Sequence, residues 1–404
     1  MQNLPTTTLN KVIALISTGH FFSHFYMLLL PPLFPLMHDE FAVSYTQLGF
    51  AITVYSLTTA LTQVPAGFLV DRYGARWILM AGLIAESIAI LLIGLNPSYT
   101  ALLWLMVLSG LGNAVFHPCD YTILNATVPT GRIGRAFSIH TFSGLLGAAV
   151  AAPLVVFLAV WSHWHTALII CGLAGLMVSV IMVLNSNILG TTVTPQQAVS
   201  KPDSTGINTL THTPIVLALL FFVGLAMVGT AITKFGISAL ELDGQANLNS
   251  ATLIITVYIF TAPVGVLIGG WVADRIQRHD LFVSACLSAV AVCTLLVAWL
   301  SPSVPILVML FAIAGLSSGC VAPSRDMMIR ALTPAGQSGK VFGFVSTGFN
   351  IGGILAPPLF GFILDNGEPA LLFLVAGLLS LATILSVCLT GQSSRQRFAA
   401  QVNT

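Results

Sequence analysis

The 404-residue chain predicts an all-α membrane protein, with twelve transmembrane helices in two pseudo-symmetric six-helix bundles. Three observations predict it. Of the residues, 56% are apolar and only 7% are Asp, Glu, Lys or Arg, against about 25% charged in an average soluble domain. Apolar segments long enough to cross lipid, which takes about 20 residues, recur along the whole chain. The second half also repeats the first. Charge excludes other classes: 14 basic and 13 acidic residues leave a net +1, unlike a nucleic-acid-binding or disordered chain. The lipid bilayer is the expected surrounding, and no nucleic-acid partner is expected.

The spans are drawn at 12–36, 46–70, 77–95, 100–124, 136–160, 166–188, 214–240, 251–272, 281–300, 304–328, 341–363 and 370–390. The first follows the lone Lys11, runs longer than a signal-peptide core and has no small-residue cleavage site, so it is expected to remain as a spanning helix. With both termini cytoplasmic, Lys11, Arg72, Arg76, Arg132, Arg135, Lys201, Arg275, Arg278, Arg330, Lys340, Arg395 and Arg397 fall on the inner side. The opposite loops carry Asp39, Glu40, Glu241, Asp243, Asp365 and Glu368 and no Lys or Arg. Basic residues favour the cytoplasmic side, so this bias sets the orientation. The polar stretch 189–213 reads as a flexible cytoplasmic linker between bundles at 1–188 and 214–392, with a tail at 393–404. Cys119, Cys171, Cys286, Cys293, Cys320 and Cys388 lie in apolar runs without metal-site or disulfide spacing and read as packing residues.

Shifting the chain by about 205 residues lays GLGNAVFHPCDYTILNATVPTG (110–131) on GLSSGCVAPSRDMMIRALTPAG (315–336). Gly110, Pro118 and Pro129 meet Gly315, Pro323 and Pro334; further on, Gly134, Arg135, Phe137, Gly147 and Pro153 meet Gly339, Lys340, Phe342, Gly352 and Pro358. A shift of 203 brings Tyr55, Gly67, Asp71 and Arg72 onto Tyr258, Gly270, Asp274 and Arg275. Two parallel six-helix repeats joined by a linker are a transporter design, with a substrate site expected near mid-membrane between them.

GFLVDRYGARW (67–77) resembles the cytoplasmic loop signature of the major facilitator superfamily, with a weaker copy, GWVADRIQRH, at 270–279. Within that superfamily, GHFFSHFYMLLLPPLFPLM (19–37) and AVFHPCD (114–120) are similar to the fosmidomycin-resistance group of exporters, although PSRDMMIR (323–330) departs from it. The resemblance implies a secondary transporter, not an enzyme, working by alternating access in a bacterial cytoplasmic (inner) membrane. It assigns gating to the loop residues Gly67, Asp71, Arg72, Arg76, Gly270, Asp274 and Arg275. Gly67 would let helices approach closely, while Asp71 caps a helix or pairs with an Arg; the alternative is that the arginines are plain inner-face anchors.

Ionisable groups inside a spanning helix cost about 2.5–3.5 kcal/mol each, so they point to a cavity. His20 and His24 share one face of the first helix, and His117 and Asp120 one face of the fourth. The superfamily lines its cavity with these two helices. Arg325 offers a planar fork that suits carboxylate or phosphonate; alternatively it pairs with Asp120 or Asp326 as a strut. Asp326 either pairs with another helix or, like Asp120, binds a coupling proton. Lys234 is a second candidate attractive charge or snorkels outward. Tyr55, Tyr258, Asn350 and His140 are wall candidates, Glu86 a structural pair on a peripheral helix. Pro118, Pro323, Pro153 and Pro358 are expected to bend helices, and Gly144/Gly147 and Gly352/Gly353 to permit close packing. SGLLGAAVAAP (143–153) loosely resembles the Gly-Pro motif of drug/proton antiporters and favours export.

The expected function is proton-coupled transport of a small organic anion by a monomer. No ATP site is visible, so energy is expected to come from a gradient and no cofactor is expected, and the protonatable His20, His24, His117, Asp120 and Asp326 make H⁺ the expected coupling ion. His20, His24, His117, Lys234, Tyr55, Tyr258, Asn350 and Arg325 are the substrate candidates; Asp120, Asp326 and His117 the proton carriers. Rival readings are a transition-metal or siderophore transporter using His20, His24, His117 and Asp120, a multidrug exporter, a non-transporting sensor and, least, an intramembrane enzyme, for which no nucleophile and base stand out.

Overall fold

The structure, a computed structural model, describes residues 5–129, 132–189, 212–332 and 338–402. Of Asp71, Asn125, residues 133–135, Ser138, residues 338–340, Phe342, Gly343 and residues 391–402, only the backbone is described. The expected linker lies, from 190 to 211, outside the described residues, as do Lys201 and Pro334.

The described residues form helices and turns only, as twelve helical spans. In the first half these are α1 (Thr6–Met27, continued by a 3₁₀ turn at Pro31–Leu33 and a helix Phe34–Phe41), α2 (Tyr45–Tyr73), α3 (Ala75–Leu95), α4 (Tyr99–Asn113, then Phe116–Thr127), α5 (Ile133–Trp161) and α6 (Trp164–Leu184). In the second half they are α7 (Thr213–Thr230, a π turn Ala231–Phe235, then Gly236–Leu242), α8 (Leu248–Ala273), α9 (His279–Leu300), α10 (Val304–Leu332), α11 (Ser338–Asp365) and α12 (Pro369–Val402). Eleven are long and apolar enough to cross a membrane. The exception, α2, has the length, with 29 residues, but Thr53, Ser56, Thr58, Thr59, Thr62 and Gln63 dilute its hydropathy.

Local chemistry sets several boundaries. Ser44 opens α2 with a capping box, its hydroxyl accepting from the Gln47 N–H while Gln47 Oε1 accepts from Ser44 N–H. Asn247 caps α8 in the same way as Ser98 caps α4, by accepting from the backbone three residues on. The first span differs from expectation: Pro31 and Pro32 lack N–H donors, and the helix breaks there rather than running through 12–36. The last helix continues to Val402, past the boundary expected at 392.

The chain divides into two compact units, Met1–Val199 and Ser200–Thr404. Inside the first, α1 packs on α5, α2 on α4 and α3 on α6; inside the second, α7 packs on α11, α8 on α10 and α9 on α12. The pairing is the same in both, and one close joint in each is made by repeat-equivalent residues. A Cβ on Gly110 would lie 2.7 Å from the Tyr55 carbonyl oxygen, and one on Gly315 would overlap that of Tyr258. At Gly67 an added Cβ would meet nothing within 4 Å among the described residues. At Gly270 it would meet, among the described residues, Pro323 at 4.0 Å.

The outward faces of both units are apolar, which in water would be prohibitive and in lipid is the solvated arrangement. In the first unit, exposed Tyr73 and Trp77 stand at one end of the helices and Trp104 and Trp161 at the other; Trp271 and Trp299 divide likewise in the second. Aromatic rings at both ends mark the two interfacial levels of a bilayer.

Candidate functional site

In the first unit the polar residues of α1, α4 and α5 converge on one carboxylate. The break at Ala114 and Val115 starts a fresh helix at Phe116, which places Pro118 in its first turn, where the missing N–H is not needed. Asp120 follows and is 0% exposed. His140 Nε2 on α5 lies 2.9 Å from Asp120 Oδ2 in a hydrogen bond, donating when the carboxylate is ionised. His20 Nδ1 on α1 lies 3.3 Å from the same oxygen. The His20 ring stacks on His140 at 3.7 Å and 21°, with His24 edge-on at 4.6 Å and His117 at 5.4 Å. Asp120 Oδ1 has no hydrogen-bond partner among the described residues. Gly144 makes the room: a Cβ there would lie 2.7 Å from His20 Cδ2 and Nε2 and 3.1 Å from His24 Cδ2.

This arrangement modifies the expected roles. His140, read as a wall residue, is 1% exposed and sits at the centre. His117 is exposed, its ring 6.1 Å from that of Tyr121. Within this cluster, the ligand atoms of His20, Asp120 and His140 lie within 4.8 Å of one another. Of the alternative metal set His20, His24, His117 and Asp120, the structure brings His20 and Asp120 together with His140, and His24 and His117 lie outside that spacing. The only sequence signal for His140 was a histidine in an apolar span; which helix it would face is a matter of packing.

A second buried acid lies nearby in the same unit. Glu86 on α3 is 0% exposed and accepts from Asn113 Nδ2 at 3.2 Å, while Asn113 also donates to Ser23 Oγ at 3.0 Å. The expected structural pair exists, but its partner is a neutral amide on α4. Tyr55, expected to line the cavity, is 5% exposed.

In the second unit, the position equivalent to Asp120 is Arg325. Its guanidinium lies over two rings, Phe222 of α7 at 4.9 Å and Phe349 of α11 at 5.4 Å. Its Nε donates to Asp326 Oδ1 at 2.9 Å, the adjacent residue closing the pair despite the angular offset between neighbours on a helix. The Arg325 side chain is 18% exposed and that of Asp326 52%, so Asp326 is not the buried acid it was expected to be. Flat cation–aromatic stacking keeps a desolvated guanidinium oriented; neither phenylalanine stands out in a phenylalanine-rich sequence.

Lys234 occupies the π turn of α7, eight residues before its end at Leu242, or about 12 Å at 1.5 Å per residue. It is half-buried, and π turns gather at functional positions. Tyr258 is buried with its ring 6.4 Å from Phe311, whereas Asn350 is exposed on α11.

The loop signatures read differently in the two units. Arg76 donates to the Ser186 carbonyl at 3.3 Å, tying the start of α3 to the turn after α6, and packs on Trp77. Arg72 lies over Tyr73, and Arg275 over Trp271 at 3.9 Å. These contacts seat each arginine on a neighbouring aromatic ring. The Asp71 side chain lies outside the described residues; Asp274 is exposed and forms no ion pair among them.

The sequence profile described as Major Facilitator Superfamily matches residues 16–247 and 217–400. Among curated relatives, the Fosmidomycin resistance protein of Escherichia coli is 26% identical over 94% of this chain and 92% of its own length. A D-galactonate transporter of Escherichia coli is 23% identical (84% and 86% of the two chains), and the hexuronate transporter of Bacillus subtilis 23% (87% of each). Among solved structures, an inward-facing, unoccupied bacterial homolog of the human lysosomal transporter Spinster superposes with a TM-score of 0.75 at 16% identity, covering 97% and 98% of the two chains. The nucleoside transporter NupG superposes with a TM-score of 0.77 at 14% identity, covering 94% and 99%. With its twelve helices, paired repeat and matching profile, the chain belongs to the Major Facilitator Superfamily and is a membrane transporter of small molecules rather than an enzyme.

Proposed function

We propose that the protein is a proton-coupled transporter of a small organic anion, a carboxylate or phosphonate, acting by alternating access in a bacterial inner membrane, with both termini cytoplasmic and export as the direction. The observation that carries this reading is the pair of equivalent positions in the two repeats. One holds a buried acid, Asp120, with one oxygen close to two imidazoles, His20 and His140. The other holds a permanent cation, Arg325, seated on two phenylalanines.

The Asp120–His20–His140 trio changes its net charge by one with each proton it takes up, and in a low-dielectric bundle that change is felt strongly. Arg325 carries five N–H donors, and its contact with Asp326 uses Nε; an incoming carboxylate or phosphonate takes the remaining fork. His24 and His117 shape the pocket or relay the proton, and Lys234 adds attraction for the anion. The protein works as a monomer, without a bound cofactor. The relatives named for fosmidomycin resistance and for galactonate and hexuronate transport support the anionic class.

A second reading rests on one observation: the ligand atoms of His20, Asp120 and His140 lie within 4.8 Å of one another, a spacing that also suits transport of a transition metal or its chelate. Proteoliposomes with an imposed pH gradient decide between the two. Fosmidomycin, D-galactonate, a hexuronate and Zn²⁺ are offered to wild type, Asp120→Asn and Arg325→Gln. Gradient-driven movement of an anion that stops in both variants supports the main reading; metal movement that stops in Asp120→Asn and persists in Arg325→Gln replaces it.

A further inference from the structure

We propose that Glu40, His163 and His165 form a binding site for a divalent transition-metal ion, of which Zn²⁺ is the representative, at the end of the first unit away from Arg72 and Arg76. This site is separate from the buried trio. It is built from two segments: Glu40 is on the helix Phe34–Phe41 that ends the first span, and the histidines flank Trp164 where α5 turns into α6.

The local fold aims both histidines the same way. His163 is extended, with φ −165° and ψ 152°, and caps α6, its Nδ1 accepting from the His165 N–H over a long 3.4 Å. The two rings then sit 4.4 Å apart. His165 Nε2 lies 2.8 Å from Glu40 Oε1 but without hydrogen-bond geometry, so a polar contact is made and a nitrogen is left unused as a donor or acceptor. One ligand atom from each of the three residues lies within 4.8 Å of the others. A tetrahedral ion with ligands at about 2.1 Å needs separations of about 3.4 Å, which rotation of partly exposed side chains supplies; Glu40 is 36% and His165 24% exposed.

The surroundings supply what an ion site needs beyond its ligands. Trp164, itself 2% exposed, donates Nε1–H to Glu40 Oε2 at 2.7 Å. That bond occupies one carboxylate oxygen and turns the other toward the histidines, as outer partners of metal ligands do. Two imidazoles and one carboxylate leave a coordination position for water and match borderline ions rather than Ca²⁺ or Mg²⁺. The ion joins the end of α1 to the α5–α6 turn, so its effect is to brace one bundle.

Calorimetric titration of Zn²⁺ into the purified full-length protein, with thermal unfolding alongside, tests this. Glu40→Gln keeps an acceptor for Trp164, and His163→Asn keeps a helix cap, so both variants fold. The expected result is one saturable site whose affinity falls at least tenfold in each variant and in Trp164→Phe, by about 10- to 100-fold in the last, while Asp120→Asn leaves it intact. Zn²⁺ raises the melting temperature of wild type and Asp120→Asn only. The proposal is overturned if wild type binds no Zn²⁺ saturably, or if binding survives in Glu40→Gln and His163→Asn; loss in Asp120→Asn instead assigns the ion to the buried trio.

Discussion

Replacing Gly144 by Ala perturbs the histidine cluster without removing any of its polar atoms. The new methyl would stand 2.7 Å from two atoms of the His20 ring, where unstrained contact begins near 3.4 Å, so the ring must retreat by about 0.7 Å. It has little freedom to do so: His140 stacks on it at 3.7 Å and Asp120 Oδ2 holds Nδ1 at 3.3 Å. Overpacking of this kind costs about 1–3 kcal/mol, while Ala in place of Gly within a helix returns about 1 kcal/mol. Net stability is therefore expected to fall by about 2 kcal/mol at most, yet the Asp120–His20 contact opens toward 4 Å. Gly353→Ala, where an added Cβ meets nothing within 4 Å, is the matched control and keeps the helix gain alone. Thermal unfolding and pH-gradient-driven transport in proteoliposomes are read for both. The expected outcome is a small change in melting temperature for each and a loss of transport in Gly144→Ala only; wild-type transport by Gly144→Ala would refute the claim that His20 must touch Asp120.

Four further outcomes follow from the same contacts. Asp120→Asn is expected to retain folding and lose the response of transport to an imposed pH gradient, checked by counterflow with and without the gradient. Arg325→Lys keeps the charge but not the fork, so affinity for a carboxylate or phosphonate is expected to drop at least tenfold, measured by tryptophan-fluorescence titration. Tyr26 donates its hydroxyl to the Cys171 carbonyl at 3.0 Å, with Ser87 Oγ 3.2 Å from the same oxygen, linking α1, α6 and α3; Tyr26→Phe is expected to cost about 1 kcal/mol, seen as a lower melting temperature. Glu86→Gln preserves the acceptor for Asn113 and is expected to melt close to wild type, whereas Glu86→Leu leaves the Asn113 amide short of a partner and melts lower.

The positions of the spans and the repeat were legible because both rest on what every helix in lipid must have, length and apolarity, and on a self-alignment anchored by Gly and Pro. The pairing of helices inside each unit follows from the same glycines, as Gly110 against Tyr55 and Gly315 against Tyr258 illustrate. The site was legible in part. His20, His24, His117 and Asp120 were found by one-turn spacing, which reports a shared face on one helix. It says nothing of which residue on a third helix completes the group, so His140 was underrated. Spacing likewise could not show that Gly144 is the floor beneath His20, that Lys234 falls on a π turn, or that Glu40 and His165, more than a hundred positions apart, meet at one end of a bundle. Gly67 differs in the opposite direction: a small residue in a known motif reads as a packing contact, and among the described residues nothing lies within 4 Å of a Cβ placed there.

The opposite charges at Asp120 and Arg325 bear on why the two bundles share one polypeptide. An assembly of two identical six-helix subunits must carry the same residue at both copies of any position, because symmetry repeats every substitution. Such a dimer could hold two acids or two bases at this place, never one of each. Covalent fusion removes that restriction, letting one copy of a common scaffold hold a buried acid and the other a permanent cation.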